Sequence, residues 1–142
     1  MRAVDTNVLV HAEIVTSQFH SKARALIVEL AEGVLPWAIP WPCVYEFLRV
    51  VTHPRVFNPP MPIALALADL SQILRSPTLT LLGETSRHSD VMMALVADSG
   101  ATGNLLHDAH IAALCIEHGV TELLTGDGDF ARFPIKATNP FR

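Results

Sequence analysis

The stretch AVDTNVLV (residues 3–10) sets a carboxylate between two apolar runs. Ala3 and Val4 read as the end of a strand over residues 2–5, while Val8, Leu9 and Ala12 recur at helical spacing, so Asp5 falls where a strand gives way to a helix. A strand followed at once by a helix opens an α/β unit. In open parallel sheets the functional crevice lies beyond the carboxyl ends of the strands, where loops and helix N-termini converge, and Asp5 is expected there. Asp5, Thr6 and Asn7 equally suit the cap of the following helix, so the trio alone leaves both roles open.

The same alternation continues along the chain. Helical spacing covers residues 19–32 and stops at Gly33, and WAIP (37–40) is a short strand closed by Pro40 and Pro42. CVYEFLRVVTHP (43–54) reads as a helix with Val44, Phe47, Leu48 and Val51 on one side. After the breaker NPPMP, the pattern gives a helix over 63–74, a strand over 79–82, helices over 87–98 and 105–117, and a strand over 122–125. DGDFARF is then a loop with a single turn, and IKATNP an edge strand. Strands separated by helices predict an α/β fold, a central, mostly parallel β-sheet flanked by α-helices on both faces. In the helix over 105–117 the expected buried stripe is Leu105, Ala109, Ala112, Ala113 and Ile116, with Asp108 on its border.

A chain of 142 residues suits a single domain, expected over residues 1–142. The longest unbroken apolar run, residues 91–97, falls far short of the roughly 20 residues that cross a bilayer, so no membrane span is expected. Asp5 interrupts the first apolar run, no secretory leader is expected, and the reading is a cytoplasmic protein. Cys43 and Cys115 sit in apolar surroundings without ligand spacing and read as core residues. The net charge of -4, with Lys22 and Lys136 the only lysines, argues against a broad basic face that grips nucleic acid. Nucleic acid remains open where divalent cations lie between carboxylates and phosphates.

The carboxylates supply the functional signal. Asp127 stands just past the strand over 122–125, Asp129 follows two residues on, and Glu46 shares one side of its helix with Arg49 and His53. Singly, each has a plain explanation: Glu46 as the i,i+3 partner of Arg49, Asp108 as a helix N-terminal charge, Asp127 and Asp129 as turn residues. Together they lie far apart in sequence yet project to one end of the sheet. Carboxylates so gathered repel each other unless they are protonated or neutralised. Mg²⁺ or Mn²⁺, which prefer oxygen ligands, would remove that repulsion, activate a water and stabilise the leaving oxygen of a phosphodiester. His107 and His110 flank Asp108, and with no second cluster in view they read as solvated histidines rather than zinc ligands.

Four blocks in order, AVDTNVLVHA, WPCVYEFLRVVTHPRVF, HDAHIAALCIEHGV and LLTGDGDFARFP, resemble PIN-domain ribonucleases, and specifically the VapC-type toxins of bacterial toxin–antitoxin pairs. The resemblance spans nearly the whole chain. It implies a PIN-like fold and Mg²⁺- or Mn²⁺-dependent endonucleolytic cleavage of RNA. By position it makes Asp5, Glu46 and Asp108 the first three acidic residues of the family's site and Asp127 the more variable fourth. It implies Asp5 and Asp108 as direct metal ligands, Glu46 and Asp127 as completing the site, and Asn7, Thr125 and Asp129 as supporting groups. Arg49, His53 and Arg55 are candidates for the RNA backbone. As partners it implies a homodimer and a VapB-type antitoxin whose peptide arm enters the crevice. The apolar faces of residues 19–32 and 62–74 are candidate contact surfaces.

The chain departs from the family in one respect. Relatives often carry a basic residue between the two aspartates of the last block, where this chain has Gly128, with Gly126 before Asp127. The rival reading is a catalytically silent PIN-like module that binds RNA or protein. A receiver-type phosphoacceptor is disfavoured because TLTLLG ends without an aspartate, and a dinucleotide-binding fold because no G-x-G-x-x-G follows the first strand.

Overall fold

A computed structural model describes residues 1–142. Its elements follow the alternation: β1 (Arg2–Val4), α1 (Thr6–Glu13), α2 (His20–Glu32), β2 (Trp37–Pro40), α3 (Trp41–Val51), α4 (Ile63–Leu74), β3 (Leu79–Leu82), α5 (His88–Ser99), α6 (Leu105–Glu117), β4 (Glu122–Leu124), a 3₁₀ turn (Gly128–Arg132) and β5 (Ala137–Thr138). Local chemistry sets the boundaries. Pro42 lies in the first turn of α3, where a missing N–H leaves no helical bond unmade. Gly100 takes the left-handed conformation that ends α5.

All four strand pairings are parallel, in the order β3-β2-β1-β4-β5. The chain builds outward from β1 through β2 to β3, then returns to add β4 and β5 on the other side. The carboxyl ends of β1 and β4 therefore flank the point where the order reverses, which in such sheets is where a crevice opens. With right-handed crossovers the two directions of travel place helices on both faces. Every residue of β2 is buried, as a strand covered from both sides must be. The register aligns Val4 with Leu124, so Asp5 and Thr125 emerge side by side, and the Asp5 N–H donates to the Leu124 carbonyl at 3.0 Å.

The core is one cluster of 33 buried apolar residues, with Trp37, Phe47 and Phe130 its largest fully buried side chains. Helix α6 is more deeply set than its expected stripe. Ile111, Leu114 and Cys115 are buried along with Ala109, Ala112 and Ala113, whereas Leu105 and Ile116 are only half-buried. The cause is packing: α6 meets α5, α3, β2 and the 3₁₀ turn, so most of its circumference is covered. Both cysteines are buried free thiols. Helix α4 leaves Ile63, Leu65 and Leu67 about half exposed. No helix is long and apolar enough to cross a membrane.

Phe47 anchors α3 beside the residue that carries Glu46 and is completely buried. Phe47→Ala is expected to cost about 3–5 kcal/mol in urea unfolding, and Phe47→Leu, which keeps more of the volume, clearly less.

Candidate active site

Asp5 is the N-cap of α1 and is 5% exposed. Its Oδ1 accepts from the Thr6 N–H at 2.7 Å and from the Cys43 thiol at 3.6 Å, and its Oδ2 accepts from Asn7 Nδ2 at 3.0 Å and from Thr125 Oγ1 at 2.7 Å. Burial pushes the carboxyl above its ordinary pKa, and these donors pull it back. Burial also holds the Cys43 thiol well above its usual value, so the sulfur keeps its proton and acts as a donor. The carboxylate that caps α1 also lines the acidic cavity.

Thr125 links this carboxylate to the next. Its Oγ1 donates to Asp5 and accepts the Asp127 N–H at 3.0 Å, while Asn7 Oδ1 accepts the Gly126 N–H at 2.9 Å. Asp127 in turn caps the 3₁₀ turn by accepting the Asp129 N–H at 2.8 Å. From α6, Asp108 meets this loop: one carboxylate oxygen from each of Asp108, Asp127 and Asp129 lies within 4.8 Å of the others. Desolvation, then the charges of Asp127, Asp5, Asp129 and Glu46, push the Asp108 carboxyl up to about 6. Glu46, on α3, receives the Thr6 hydroxyl at 3.1 Å and pairs with Arg49 at 3.5 Å.

Asp5, Asn7, Glu46, Asp108 and Asp127 line a cavity of about 210 Å³. A wider cavity of about 700 Å³ shares Glu46, Asp108 and Asp127 and adds Asp129 and Arg49. The structure therefore brings together the acids expected from sequence, with Asn7 and Thr125 fixing their orientation. Asp129 brings its carboxylate into the same cluster. His53 and Arg55 line neither cavity. His53 Nδ1 instead accepts the Arg55 N–H at 3.1 Å in the turn after α3. Arg132 and His107, not anticipated from sequence, line the wider cavity. A 3₁₀ reading of DFAR would have found the arginine, since residues three apart eclipse each other in such a turn. The close acids offer only hard oxygen donors, a set that fits Mg²⁺ or Mn²⁺ better than soft metals.

The model of the PIN domain family matches residues 2–136. Over 138 residues the chain is 33% identical to ribonuclease VapC48 of Mycobacterium tuberculosis, covering 96% of this chain and 95% of that protein. It is 36% identical over 133 residues to ribonuclease VapC43 of the same organism, covering 94% and 90%. Among solved structures, VapBC2 of Rickettsia felis bound to a promoter DNA fragment superposes with a TM-score of 0.69 at 19% identity, covering 97% of each chain. VapC20 of Mycobacterium tuberculosis, described as a Sarcin-Ricin loop cleaving toxin, superposes with a TM-score of 0.65 at 17% identity, covering 92% of this chain and 93% of that one.

The crowding around Asp108 gives a pH signature. Its folded pKa, about 6, lies above the unfolded value near 3.8, so the folded state holds the proton longer. The metal-free protein therefore loses stability as pH rises from about 4 to about 6, and the cost is complete above that. Asp108→Asn should raise the metal-free Tm at pH 7.5 by about 2 °C, a modest gain because solvent at the half-buried group screens the repulsion, and by nothing at pH 4. Glu13, pushed up to about 7 by burial and Asp69, adds a slope to both proteins, so their difference isolates Asp108.

Proposed function

The chain belongs to the PIN-domain family, and on that premise we propose that it is a divalent-cation-dependent endoribonuclease, the toxin of a toxin–antitoxin pair, acting in the cytoplasm as a single-domain protein. The observation that carries this reading is the approach of Asp108 to Asp127 and Asp129 beside the buried Asp5. The ribonuclease names of relatives about one-third identical over nearly the full chain support the RNA substrate. The VapBC and FitAB complexes among its structural neighbours support an antitoxin partner.

Asp5, Glu46, Asp108 and Asp127 are the proposed ligands of Mg²⁺ or Mn²⁺, with Asp129 close enough to take part. When bound, the cation supplies a water of lowered pKa and positive charge for the phosphodiester oxygens. The protein's own work is positioning. Thr6, Asn7 and Thr125 hold the Asp5 carboxylate in one orientation, and the weak Cys43 contact is the one most readily exchanged for a stronger ligand. Thr6 and Arg49 aim Glu46. Arg49 and Arg132, on the wall of the wider cavity, are placed to receive backbone phosphates beside the acids. A basic peptide arm of a VapB-type antitoxin would suit the same acidic cavity, and the half-exposed leucines of α4 suit a homodimer contact.

Asp108→Asn should reduce cleavage of single-stranded RNA in Mn²⁺ by more than about a hundredfold, beyond what losing a supporting hydrogen bond to a ligand costs. Thr125→Val, which removes only such a support, should fall within about 10–100-fold. Cleavage at an undiminished rate in Asp108→Asn would refute the assignment. RNA binding without cleavage by the unaltered protein would favour the silent binding module.

A further inference from the structure

The fold assembles a second set of ligating side chains. Two residues beyond Asp108 the helix has turned by roughly 200°, and His110 leaves α6 in a different direction. Its Nε2 lies 2.8 Å from Glu84 Oε1, and its ring centroid lies 5.5 Å from that of His88, at the start of α5. A carboxylate oxygen of Glu84 and one ring nitrogen of each histidine lie within 4.8 Å of one another.

The group behind them is Glu117, whose side chain is fully buried. Glu117 Oε1 accepts from the Thr85 N–H at 3.0 Å and from the Thr85 hydroxyl at 2.8 Å, and Oε2 stands 2.7 Å from His88 Nδ1. The buried carboxylate takes its hydrogen bond from His88 Nδ1–H, so in the neutral ring the lone pair lies on Nε2. This is the carboxylate–histidine pairing that orients imidazoles toward metals. Partly exposed ion pairs contribute little to stability and do not require a buried carboxylate behind one of the rings.

We propose that Glu84, His88 and His110 form a second metal site, specific for a Zn²⁺-class cation, with Glu117 as the residue that positions His88. Two imidazoles and one carboxylate, with a fourth position left to solvent, are a zinc donor set. Imidazole nitrogen favours Zn²⁺, Co²⁺ or Ni²⁺ over Mg²⁺, so this site and the acidic cavity select different ions. Its occupancy ties the segment after β3 to α5 and to α6 two residues from Asp108. The proposal does not depend on RNA cleavage.

Full-length protein stripped with chelator is titrated with Zn²⁺ by calorimetry and with Co²⁺ by absorption. The unaltered chain and Asp108→Asn/Asp127→Asn should each bind one Zn²⁺ and develop the ligand-field band of tetrahedral Co²⁺, undisturbed by excess Mg²⁺. Glu84→Gln and His110→Gln should lose both signals, and Glu117→Gln should weaken binding about 10–100-fold. Glu84 is 53% exposed, so its variant keeps the fold and remains decisive if Glu117→Gln does not fold. The proposal is overturned if the folded, unaltered protein binds no Zn²⁺. It is equally overturned if binding disappears in Asp108→Asn/Asp127→Asn and survives in His110→Gln.

Discussion

A carboxylate buried at the end of a central strand is tolerated only where donors replace the water it has lost. Asp5 has four, and they come from different parts of the chain: the first turn of α1, the side chain of Asn7, the thiol on α3 and the hydroxyl that follows β4. One negative charge thereby fixes the ends of β1 and β4 and the starts of α1 and α3 relative to one another. Thr125 extends the arrangement, because the hydroxyl that donates to Asp5 also receives the Asp127 N–H. The position of the mobile-looking sequence TGDGDF is thus set by the same hub that orients the first acid.

Elsewhere the protein neutralises carboxylates in the ordinary way. Glu29 pairs with Arg2 and Glu122 with Lys136. At the crevice, none of Asp5, Asp108, Asp127 and Asp129 has a cationic side-chain partner, and Arg49 is engaged with Glu46. The fold brings these acids together against their mutual repulsion, and desolvation followed by that repulsion raises the proton affinity of Asp108. Strain of this kind persists where the surrounding structure over-determines it, and here the strand register and the buried face of α6 do so. A divalent cation would relieve it with a single charge centre, whereas lysines would fill the space that a phosphodiester needs. The scarcity of lysine in a chain that acts on a polyanion becomes intelligible in these terms.

What could be read in the sequence was whatever depends on local period. The strands, the helices and the places where Asp5 and Asp127 leave strand ends follow from alternation alone, and Asp108 was identifiable because it borders an apolar stripe. Features set by distant packing were not legible. The depth of α6 depends on α5 and the 3₁₀ turn closing around it, and no helical period records that. His53 lines neither cavity because the i+7 relation to Glu46 assumes a continuing helix, and α3 ends at Val51. The pairing of His88 with Glu117 spans 29 residues and two helices, so His110 looked isolated until its neighbours were brought to it.

The two glycines around Asp127 differ in kind. A Cβ at Gly126 would stand 3.2 Å from the Phe141 ring and 3.5 Å from Asn7 Oδ1, so this position is small because the loop backbone is pressed against both. That closeness lets the Gly126 N–H reach Asn7 at 2.9 Å and keeps the Asn7 amide turned toward Asp5. Phe141 is itself held by stacking on Phe19 at 4.8 Å and by the edge of His11. A Cβ at Gly128 would meet nothing within 4 Å, so a larger side chain between the two aspartates has room here. The loop's order comes from Thr125, Asn7 and Phe141. Arg132, three residues past Asp129 on the same turn, joins Arg49 on the wall of the wider cavity beside the acids.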